Sequence, residues 1–479
     1  MTATASVRLV LGGGTPEAVA RRIDYAFRLY CTLAGVAPAD DGVQATVDLR
    51  YGGSHAADAP GLPATYRLRP ATQAAAAPSW VGDPAGDGTV PPIPCFHPVG
   101  PNGAPDLLGE LFEWVSADHE RSIRARDDVG RIPFADTLHG RYGIDPTVPW
   151  ANRIVVALHR RIGRSGGAVW PALRPLFERA TFAATHDLDF LPGRWPQTAV
   201  RWGKNLTRAV SARDVRLASQ IGRSGLRALR GDHPLSQLQR MVEREAASGI
   251  RSSVNVICDH AHRRDANYRL EEPRTHHALE WLCGAGVELG VHGSYTSLAT
   301  PGRLAQEFDH LRRLGYRPIG GRQHWLRYDG AVLFEELERA GAAYDSTAGY
   351  SDRPGFRQGL AAPFAPWDFT RERPFPLLEL PLAVMDVSLA DRSEPETEAA
   401  AVVAAAAQEG SGGVALLWHD TVFGGSQVDE AVARVYWTLK QPDHDWLRPV
   451  DVVAHVWSRF EGCGLLPAQP EEITACTMP

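Results

Sequence analysis

The sequence predicts an α/β protein whose parallel strands alternate with helices from residue 180 onward. Two observations predict this class of fold. Seven short apolar runs with strand character follow one another, and stretches with helical periodicity separate most of them. Ionisable residues stand directly after these runs, where a parallel α/β fold carries its functional side chains. We therefore expect a functional site at the carboxyl ends of the strands.

The individual strands and helices follow from the hydrophobic pattern. Strands are expected at residues 182–185, 253–258, 287–291, 318–321, 342–344, 377–385 and 414–418. Helices are expected at residues 236–247, 276–282, 303–314, 331–340 and 396–408. Strands that alternate with helices in this way are typical of a parallel sheet.

The first of these strands ends at a pair of aspartates, Asp187 and Asp189. Residues two apart on a strand point the same way, so both carboxylates are predicted to enter one pocket. Two carboxylates there repel each other, and a metal ion or a shared proton is needed to offset that repulsion. A turn in which the aspartates cap backbone groups is the alternative interpretation of this stretch.

Later strand ends carry further polar groups that suit the same pocket. They are Asp259, His260, His262, His292, Arg322, His324, Asp345, Asp386 and His419. Carboxylates and imidazoles are ligands suited to Zn²⁺ or a related divalent ion. A single histidine at a strand end is more often a structural residue, so the prediction depends on the number of strand ends that carry such groups.

A separate N-terminal region precedes the repeats. Its expected elements are a strand at 7–11, a glycine-rich turn at 12–14, a helix at 16–34, a strand at 43–51 and a helix at 105–127. The glycine-rich turn lacks the lysine and the spacing of phosphate-binding loops, which favours a plain turn. We divide the chain into an accessory α/β domain at 1–150, a helical linker at 151–178 and the repeat region at 179–479, with an insertion at 197–232.

Composition limits the class of protein further. The chain of 479 residues is 44% hydrophobic and 22% charged, and no apolar run approaches the roughly 18 residues that a membrane span needs. The N-terminus has no basic segment followed by an apolar stretch, so we expect a cytoplasmic protein. The six cysteines are widely spaced, which argues against a cysteine-based zinc site. The net charge of −6 gives no indication of nucleic-acid binding.

The insertion contains a basic segment at 201–230. Its only acidic residue is Asp214, and its basic residues are Arg201, Lys204, Arg208, Arg213, Arg216, Arg223, Arg227 and Arg230. Such a segment could contact an anionic substrate or, peripherally, the headgroups of a membrane. An exposed pair of helices is the simpler alternative, because charge runs usually form exposed faces.

Five motifs stand at the predicted strand ends. They are THDLD at 185–189, ELGVHGSYTS at 288–297, GRQHWLR at 321–327, YDSTAGY at 344–350 with GFRQG at 355–359, and LLWHD at 416–420. Their order and content resemble the polysaccharide deacetylase family of the NodB-homology, carbohydrate esterase family 4 type. The segment DLLGELFEWVS at 106–116 resembles the N-terminal region of a branch with an extra domain. The resemblance implies a distorted seven-stranded (β/α) barrel behind an N-terminal α/β accessory domain.

The same resemblance implies a role for each matched residue. Asp187 resembles the catalytic base, and Arg322 resembles the arginine that orients this base. Asp189 and His292 match metal ligands, and His419 matches the histidine that protonates the leaving group. The implied cofactor is a divalent ion, with Zn²⁺ expected and Co²⁺ or Ni²⁺ as alternatives.

One position departs from the family pattern. The family places a second metal histidine four residues after the first, and this chain has Thr296 there. His324 is our first choice for the missing ligand, because it lies two residues beyond Arg322 and a strand would point both into the pocket. His260 and His262 are the next choices, and a loosely held or lost metal is the remaining alternative.

The expected function is removal of an acetyl group from an amino sugar or an acetylated glycoconjugate by a metal-dependent hydrolase. Two other functions stay open: hydrolysis of a non-sugar amide, and a catalytically silent barrel that binds a glycan or a partner protein. The missing histidine favours the silent barrel, whereas Asp187 together with His419 favours an enzyme. Four tryptophans near the motifs are candidates to stack on a sugar ring, namely Trp195, Trp325, Trp367 and Trp418.

Overall fold

The structure is a computed structural model that describes most of the chain. The described residues are 5–40, 45–52, 61–69, 73–85, 88–100, 103–166, 170–191, 203–204, 206–207, 209–211, 213, 215, 218–219, 221–222, 234–390, 392–410, 412–423 and 430–473. The predicted basic segment at 201–230 falls largely outside these residues, and so does Trp195.

The N-terminal region contains a small parallel sheet of its own, as predicted. Its strands have the order β2-β1-β3-β4, with β1 at Ser6–Leu11, β2 at Ala37–Pro38, β3 at Val47–Tyr51 and β4 at Gly61–Leu62. Two further strands pair antiparallel, β5 at Ser79–Val81 and β6 at Ile93–Cys95. The helices are α1 at Glu17–Ala34, α2 at Leu107–Ser116, α3 at Leu138–Tyr142 and α4 at Trp150–Gly166.

The helix predicted at 105–127 is shorter in the structure. It ends at Ser116 because Ala117 takes a left-handed backbone conformation with φ of 53°, which interrupts the helical hydrogen bonds. A short 3₁₀ helix, Asp118–Ser122, follows.

The second sheet is parallel throughout and curls into an incomplete barrel. Its strands are β7 at Ala180–Leu188, β8 at Ser253–Ile257, β9 at Glu288–Gly293, β10 at Gly320–Gln323, β11 at Tyr344–Asp345, β14 at Leu378–Glu379, β15 at Leu382–Met385, β16 at Gly412–Leu417 and β17 at His444–Leu447. Eight of them follow the order β14-β11-β10-β9-β8-β7-β16-β15, and β17 pairs with β7. The short strands β12 at Trp367–Asp368 and β13 at Arg373–Pro374 form a separate antiparallel pair. The predicted α/β class with a parallel sheet and a separate N-terminal α/β region is confirmed.

All seven predicted strands are present, but the sixth is divided in two. Its first half, β14, pairs with β11 at one edge of the sheet, and its second half, β15, pairs with β16 at the other edge. Pro381 lies between the halves and has no N–H to donate to a neighbouring strand. One extended segment therefore links the two edges of the curled sheet.

The prediction omitted β17. Its sequence, HDWL, contains two polar residues and no apolar run, so periodicity does not mark it as a strand. It becomes a strand by pairing with the first residues of β7, from Ala180 to Ala183.

Helices cover the outer face of this sheet. They are α5 at Pro234–Ala247, α6 at Pro273–Gly284, α7 at Arg303–Arg313, α8 at Gly330–Ala340, α9 at Asp386–Leu389, α10 at Pro395–Ala405, α11 at Asp420–Phe423, α12 at Glu430–Leu439 and α13 at Pro449–Gly462. Each predicted helix corresponds to one of them. Within the described residues, no helix has both the length and the apolar character to cross a bilayer.

The N-terminal region packs on the barrel through buried polar contacts. The carboxylate of Glu120 accepts two hydrogen bonds of 2.9 Å from the guanidinium of Arg357, and both side chains are buried. The N–H of Phe356 donates to the carbonyl of Pro146, and the hydroxyl of Tyr25 donates to the carbonyl of Ala365. The GFRQG motif therefore joins the two regions. The domain boundaries at 150 and 178 stay a prediction.

We expect Arg357→Met to lower the free energy of unfolding by about 3–5 kcal/mol, because the substitution leaves the buried carboxylate of Glu120 without its partner. Chemical denaturation measures the change. Arg21→Met is the matched control, since Arg21 pairs with Glu17 on an exposed face of α1 and its loss should cost less than about 1 kcal/mol. Small and equal effects of both substitutions would contradict the role given to the buried pair.

Candidate metal centre and catalytic groups

The carboxyl ends of β7, β9, β10 and β16 surround one cleft of about 960 Å³. The register places His292 beside Arg322 on adjacent strands, and Asp187 beside Asn255. The six predicted site residues all lie at this edge: Asp187, Asp189, His292, Arg322, His324 and His419. The structure thus brings together residues that are separated by more than two hundred positions in the chain.

Three of these residues direct ligand atoms at a common point. The Nε2 atom of His292 and the Nδ1 atom of His324 each lie 3.4 Å from Oδ1 of Asp189. The two nitrogen atoms are 2.9 Å apart. A tetrahedral Zn²⁺ ion with bonds of about 2.0–2.1 Å keeps its ligand atoms roughly 3.4 Å from one another. The spacing of the three atoms therefore suits a single ion, and these residues form a candidate metal site.

The outer nitrogen atoms of both imidazoles support this interpretation. Nδ1 of His292 lies 3.1 Å from the carbonyl of Arg322, and Nε2 of His324 lies 2.8 Å from the carbonyl of Arg264. A carbonyl only accepts, so each outer nitrogen carries a proton, and the inner nitrogen of each ring is the one that can bind a metal ion. This orientation by a backbone carbonyl is typical of metal-binding histidines.

The carboxylate of Asp189 completes the fit. Its Oδ1 atom is buried and has no hydrogen-bond partner among the described residues. Burial alone would raise the pKa of Asp189, but the neighbouring His292, His419 and His324 hold this pKa well below its usual range. Two imidazole nitrogen atoms and a carboxylate oxygen thus face one another, and a divalent cation would bind to all three. The residues present fit such an ion.

His324 lies in this group as predicted, and the two alternative histidines do not. Nδ1 of His260 contacts the carbonyl of Ala266, and the ring of His262 stacks on Tyr295 with centroids 4.3 Å apart. The second imidazole of the group thus comes from His324, the residue directly after β10, and β10 is the strand next to β9. That these residues bind a metal stays a prediction.

Asp187 is held beside the candidate metal site by two buried donors. Its Oδ1 atom accepts hydrogen bonds from Nδ2 of Asn255 at 2.9 Å and from the guanidinium of Arg322 at 3.1 Å. Burial would raise the pKa of Asp187, but the charges of His292 and Arg322 outweigh burial and lower this pKa. Its other oxygen, Oδ2, is 3.6 Å from Nε2 of His292. Asp187 is therefore an anion at neutral pH. The hydrogen bonds from Arg322 and Asn255 go to Oδ1 and not to Oδ2.

His419 also lies next to the candidate metal site and has a carboxylate partner, Asp386. Nδ1 of His419 is 2.8 Å from Oδ1 of Asp386, and the backbone N–H of His419 donates to Oδ2 of the same residue. Burial lowers the pKa of His419, but Asp386 more than offsets burial and raises this pKa to about 10. The imidazole is therefore protonated at neutral pH, with Nε2 3.7 Å from Oδ2 of Asp189.

Sequence reasoning did not assign roles to Asn255 and Asp386. Asn255 stands alone among apolar residues in β8, and a buried amide in such a strand is a signal that a polar partner is near. Asp386 belonged to the predicted set of strand-end residues, but only the structure shows that its partner is His419.

The tryptophans separate into two groups. Trp325 lines the cleft and is 42% exposed, so it is available to a ligand. Trp418 is fully buried and donates to the carbonyl of Val432, and Trp367 is buried against Tyr25 and Phe112. The interpretation of Trp367 and Trp418 as sugar-stacking residues is therefore wrong, because both belong to the packed interior.

The similarity of this chain to known proteins lies in its structure. No model of a known family matches the sequence, and no curated protein matches it significantly. The structure is similar to a protein from Mycobacterium smegmatis described as a polysaccharide deacetylase, with 16% identity over 63% of this chain and 95% of that chain and a TM-score of 0.37. It is also similar to PuuE allantoinase, with 14% identity, coverage of 58% and 90%, and a TM-score of 0.35.

A third similar structure is a protein from Pseudomonas aeruginosa PAO1 described as a polysaccharide deacetylase, with 13% identity, coverage of 58% and 91%, and a TM-score of 0.36. The similarities leave an additional region of this chain without a counterpart. The molecule is an α/β protein with a curled parallel sheet, and a candidate Asp–His–His metal site lies at the carboxyl edge of that sheet.

The purified protein is expected to contain about one divalent ion, and two matched substitutions should separate the aspartates. Asp189→Asn should lose most of the metal, because it weakens one of the three convergent ligands. Asp187→Asn should retain the metal, since Asp187 contacts Arg322 and Asn255 and lies outside that group. Elemental analysis after dialysis against Zn²⁺ measures both. Equal metal loss in the two variants would contradict the assignment.

Proposed function

We propose that this protein is a metal-dependent hydrolase that removes an acetyl group from an amino sugar or an acetylated glycoconjugate. One observation carries the proposal. An ionised carboxylate, Asp187, and a protonated imidazole, His419, both lie next to the candidate metal site. Hydrolysis of an amide needs a base and an acid of this kind around one carbonyl.

A divalent ion held by Asp189, His292 and His324 would polarise the acetyl carbonyl and make water a better nucleophile. Asp187 accepts a proton from the attacking water, while Arg322 and Asn255 hold its carboxylate in place. Water adds to the carbonyl carbon, and the bond between this carbon and nitrogen then breaks. His419 donates its proton to the departing nitrogen, so that the products are acetate and a free amine.

The state of His419 supports an amide as the substrate. An amine is a poor leaving group unless it is protonated as the bond breaks, whereas an alcohol of an ester leaves more readily. Asp386 keeps His419 protonated through neutral pH, which supplies that proton. A silent barrel would have no need of both the buried pair around Asp187 and the pair around His419. Zn²⁺ is the expected ion on the basis of the donor set, with Co²⁺ and Ni²⁺ as alternatives.

The proposal predicts release of acetate. The zinc-, cobalt- and nickel-loaded protein should release acetate from N-acetylglucosamine oligomers or related N-acetylated sugars, and chelation should abolish this release. Enzymatic determination of acetate measures it, with Asp187→Asn as the metal-retaining inactive control. Allantoin and other small cyclic amides form the second substrate group. Turnover of that group alone would favour a non-sugar amidohydrolase, and no turnover of either by the loaded protein would favour a silent barrel.

The pH dependence should follow the pair of His419 and Asp386. The proton of the imidazole is lost as pH rises through its pKa of about 10, so activity should fall on that alkaline limb. Asp386→Asn removes the charge that raises this pKa, so the alkaline limb of kcat should move to lower pH. Asp352→Asn is the matched control, because Asp352 lines the same cleft but pairs with Arg353. An unchanged limb in Asp386→Asn would show that His419 is not the acid.

A further inference from the structure

One wall of the cleft consists of the segment at 262–267, which follows β8, together with Trp325. The segment is directly adjacent to the candidate metal site, because the carbonyl of Arg264 accepts a hydrogen bond from Nε2 of His324. Two consecutive arginines of this segment, Arg263 and Arg264, line the cleft. A ligand whose reacting group lies at the metal site therefore passes these guanidinium groups.

Contacts of Asp265 and His262 help to hold the segment in place. Its own carboxylate, Asp265, accepts hydrogen bonds from the backbone N–H of Tyr295 at 2.7 Å and of His262 at 2.9 Å. The stacked rings of His262 and Tyr295 tie the segment to the residues after β9. The carboxylate of Asp265 therefore has backbone N–H groups as its partners. It forms no ion pair with Arg263 or Arg264.

Both arginines keep donors for a ligand. Arg263 is exposed and makes no hydrogen bond or ion pair within the part of the chain that the structure describes. Arg264 donates to the hydroxyl of Tyr295 at 2.9 Å and to the carbonyl of Asp128 at 3.3 Å. Its nearest carboxylate oxygen belongs to Asp128, at 3.9 Å, and that side chain is 83% exposed, which makes the ion pair weak.

The N-terminal region supports the same wall. Arg131 lines the cleft, and its guanidinium donates to the carbonyl of Trp325 at 3.4 Å. Its charge is compensated locally by Asp127, at 2.7 Å. Trp325 has a left-handed backbone with φ of 63°, a conformation that a bulky residue rarely adopts, and its ring is exposed beside Arg264. The contact from Arg131 therefore helps to hold an exposed indole next to the two arginines.

Among the residues that the structure describes, three of the carboxylates that line the cleft have partners. Asp352 bonds to Arg353 at 2.9 Å, Asp386 to His419, and Asp187 to Arg322. Asp189 belongs to the candidate metal site. Arg263 and Arg264 are thus cations that face the cleft while its carboxylates already have partners.

From this arrangement we propose that the substrate carries an anionic group, a carboxylate or a phosphate, which Arg263 and Arg264 bind while Trp325 packs against the sugar ring that carries it. The inference rests on the proposed deacetylase function and specifies its substrate class. Guanidinium groups bind both anions through paired N–H donors, and an indole face beside them suits a pyranose ring. The anionic group lies on the side of the substrate that faces the segment at 262–267.

Binding of three N-acetylated probes tests the proposal without requiring turnover. The probes are N-acetylglucosamine, N-acetylglucosamine 6-phosphate and N-acetylmuramic acid, which are neutral, phosphorylated and carboxylated. Isothermal titration calorimetry with the zinc-loaded protein at low salt should show at least about tenfold tighter binding of one or both anionic probes than of the neutral probe. The preferred anionic probe identifies the kind of anion. High salt should reduce the preference, because screening weakens contacts at a solvent-accessible wall.

The double substitution Arg263→Gln and Arg264→Gln should remove this preference and leave binding of the neutral probe and the metal content unchanged. Arg269→Gln is the matched control, since Arg269 is an exposed arginine of the same connection that does not line the cleft. Equal binding of all three probes by the native protein, or an equal effect of the double substitution on every probe, would overturn the proposal. Acetate release and metal content are separate readouts, so a protein that hydrolyses neutral sugars without an anionic preference would refute this inference alone.

Discussion

The site depends on the buried ion pair between Arg322 and Asp187. The guanidinium is 1% exposed and donates to Asp187, to the hydroxyl of Thr185 and to the carbonyl of Ser346. A buried guanidinium without these partners would be strongly destabilising, so β7, β10 and the residues after β11 must keep their relative positions. The same residue serves the metal site through its backbone, because its carbonyl orients the ring of His292. The proposed base and a candidate metal ligand are thus positioned by one residue.

The candidate metal site takes its two imidazoles from the carboxyl ends of two neighbouring strands. The motif resemblance leads us to expect a ligand at position 296, but His324, directly after β10, supplies the second imidazole, with its Nδ1 atom 2.9 Å from Nε2 of His292. Metal ions respond to the identity and spacing of donor atoms and not to their order in the chain. The departure at Thr296 is therefore compatible with an intact set of three protein ligands.

The N-terminal region contributes to the barrel at two places with different consequences. The buried pair of Glu120 and Arg357 joins the two regions and supports stability. The residues around Arg131 reach the rim of the cleft, where they contact the backbone of Trp325 and lie close to Arg264. An accessory region that touches the rim of a cleft in this way can influence which ligands enter it. Here it lies beside Arg263 and Arg264, which line the cleft.

The sequence by itself determined the alternation of strands and helices, and it identified the strand ends at which Asp187, His292, Arg322 and His419 meet. These features follow from local periodicity and from the rule that parallel strands present their carboxyl ends at one edge. Only the tertiary structure decided that His324 and not His260 joins the candidate metal site, that Asp386 pairs with His419, that Trp418 is buried, and that β17 exists. Each of these features depends on which strands are neighbours in the sheet and on how the side chains are oriented. These contacts join residues that lie far apart in the sequence, which local periodicity does not connect.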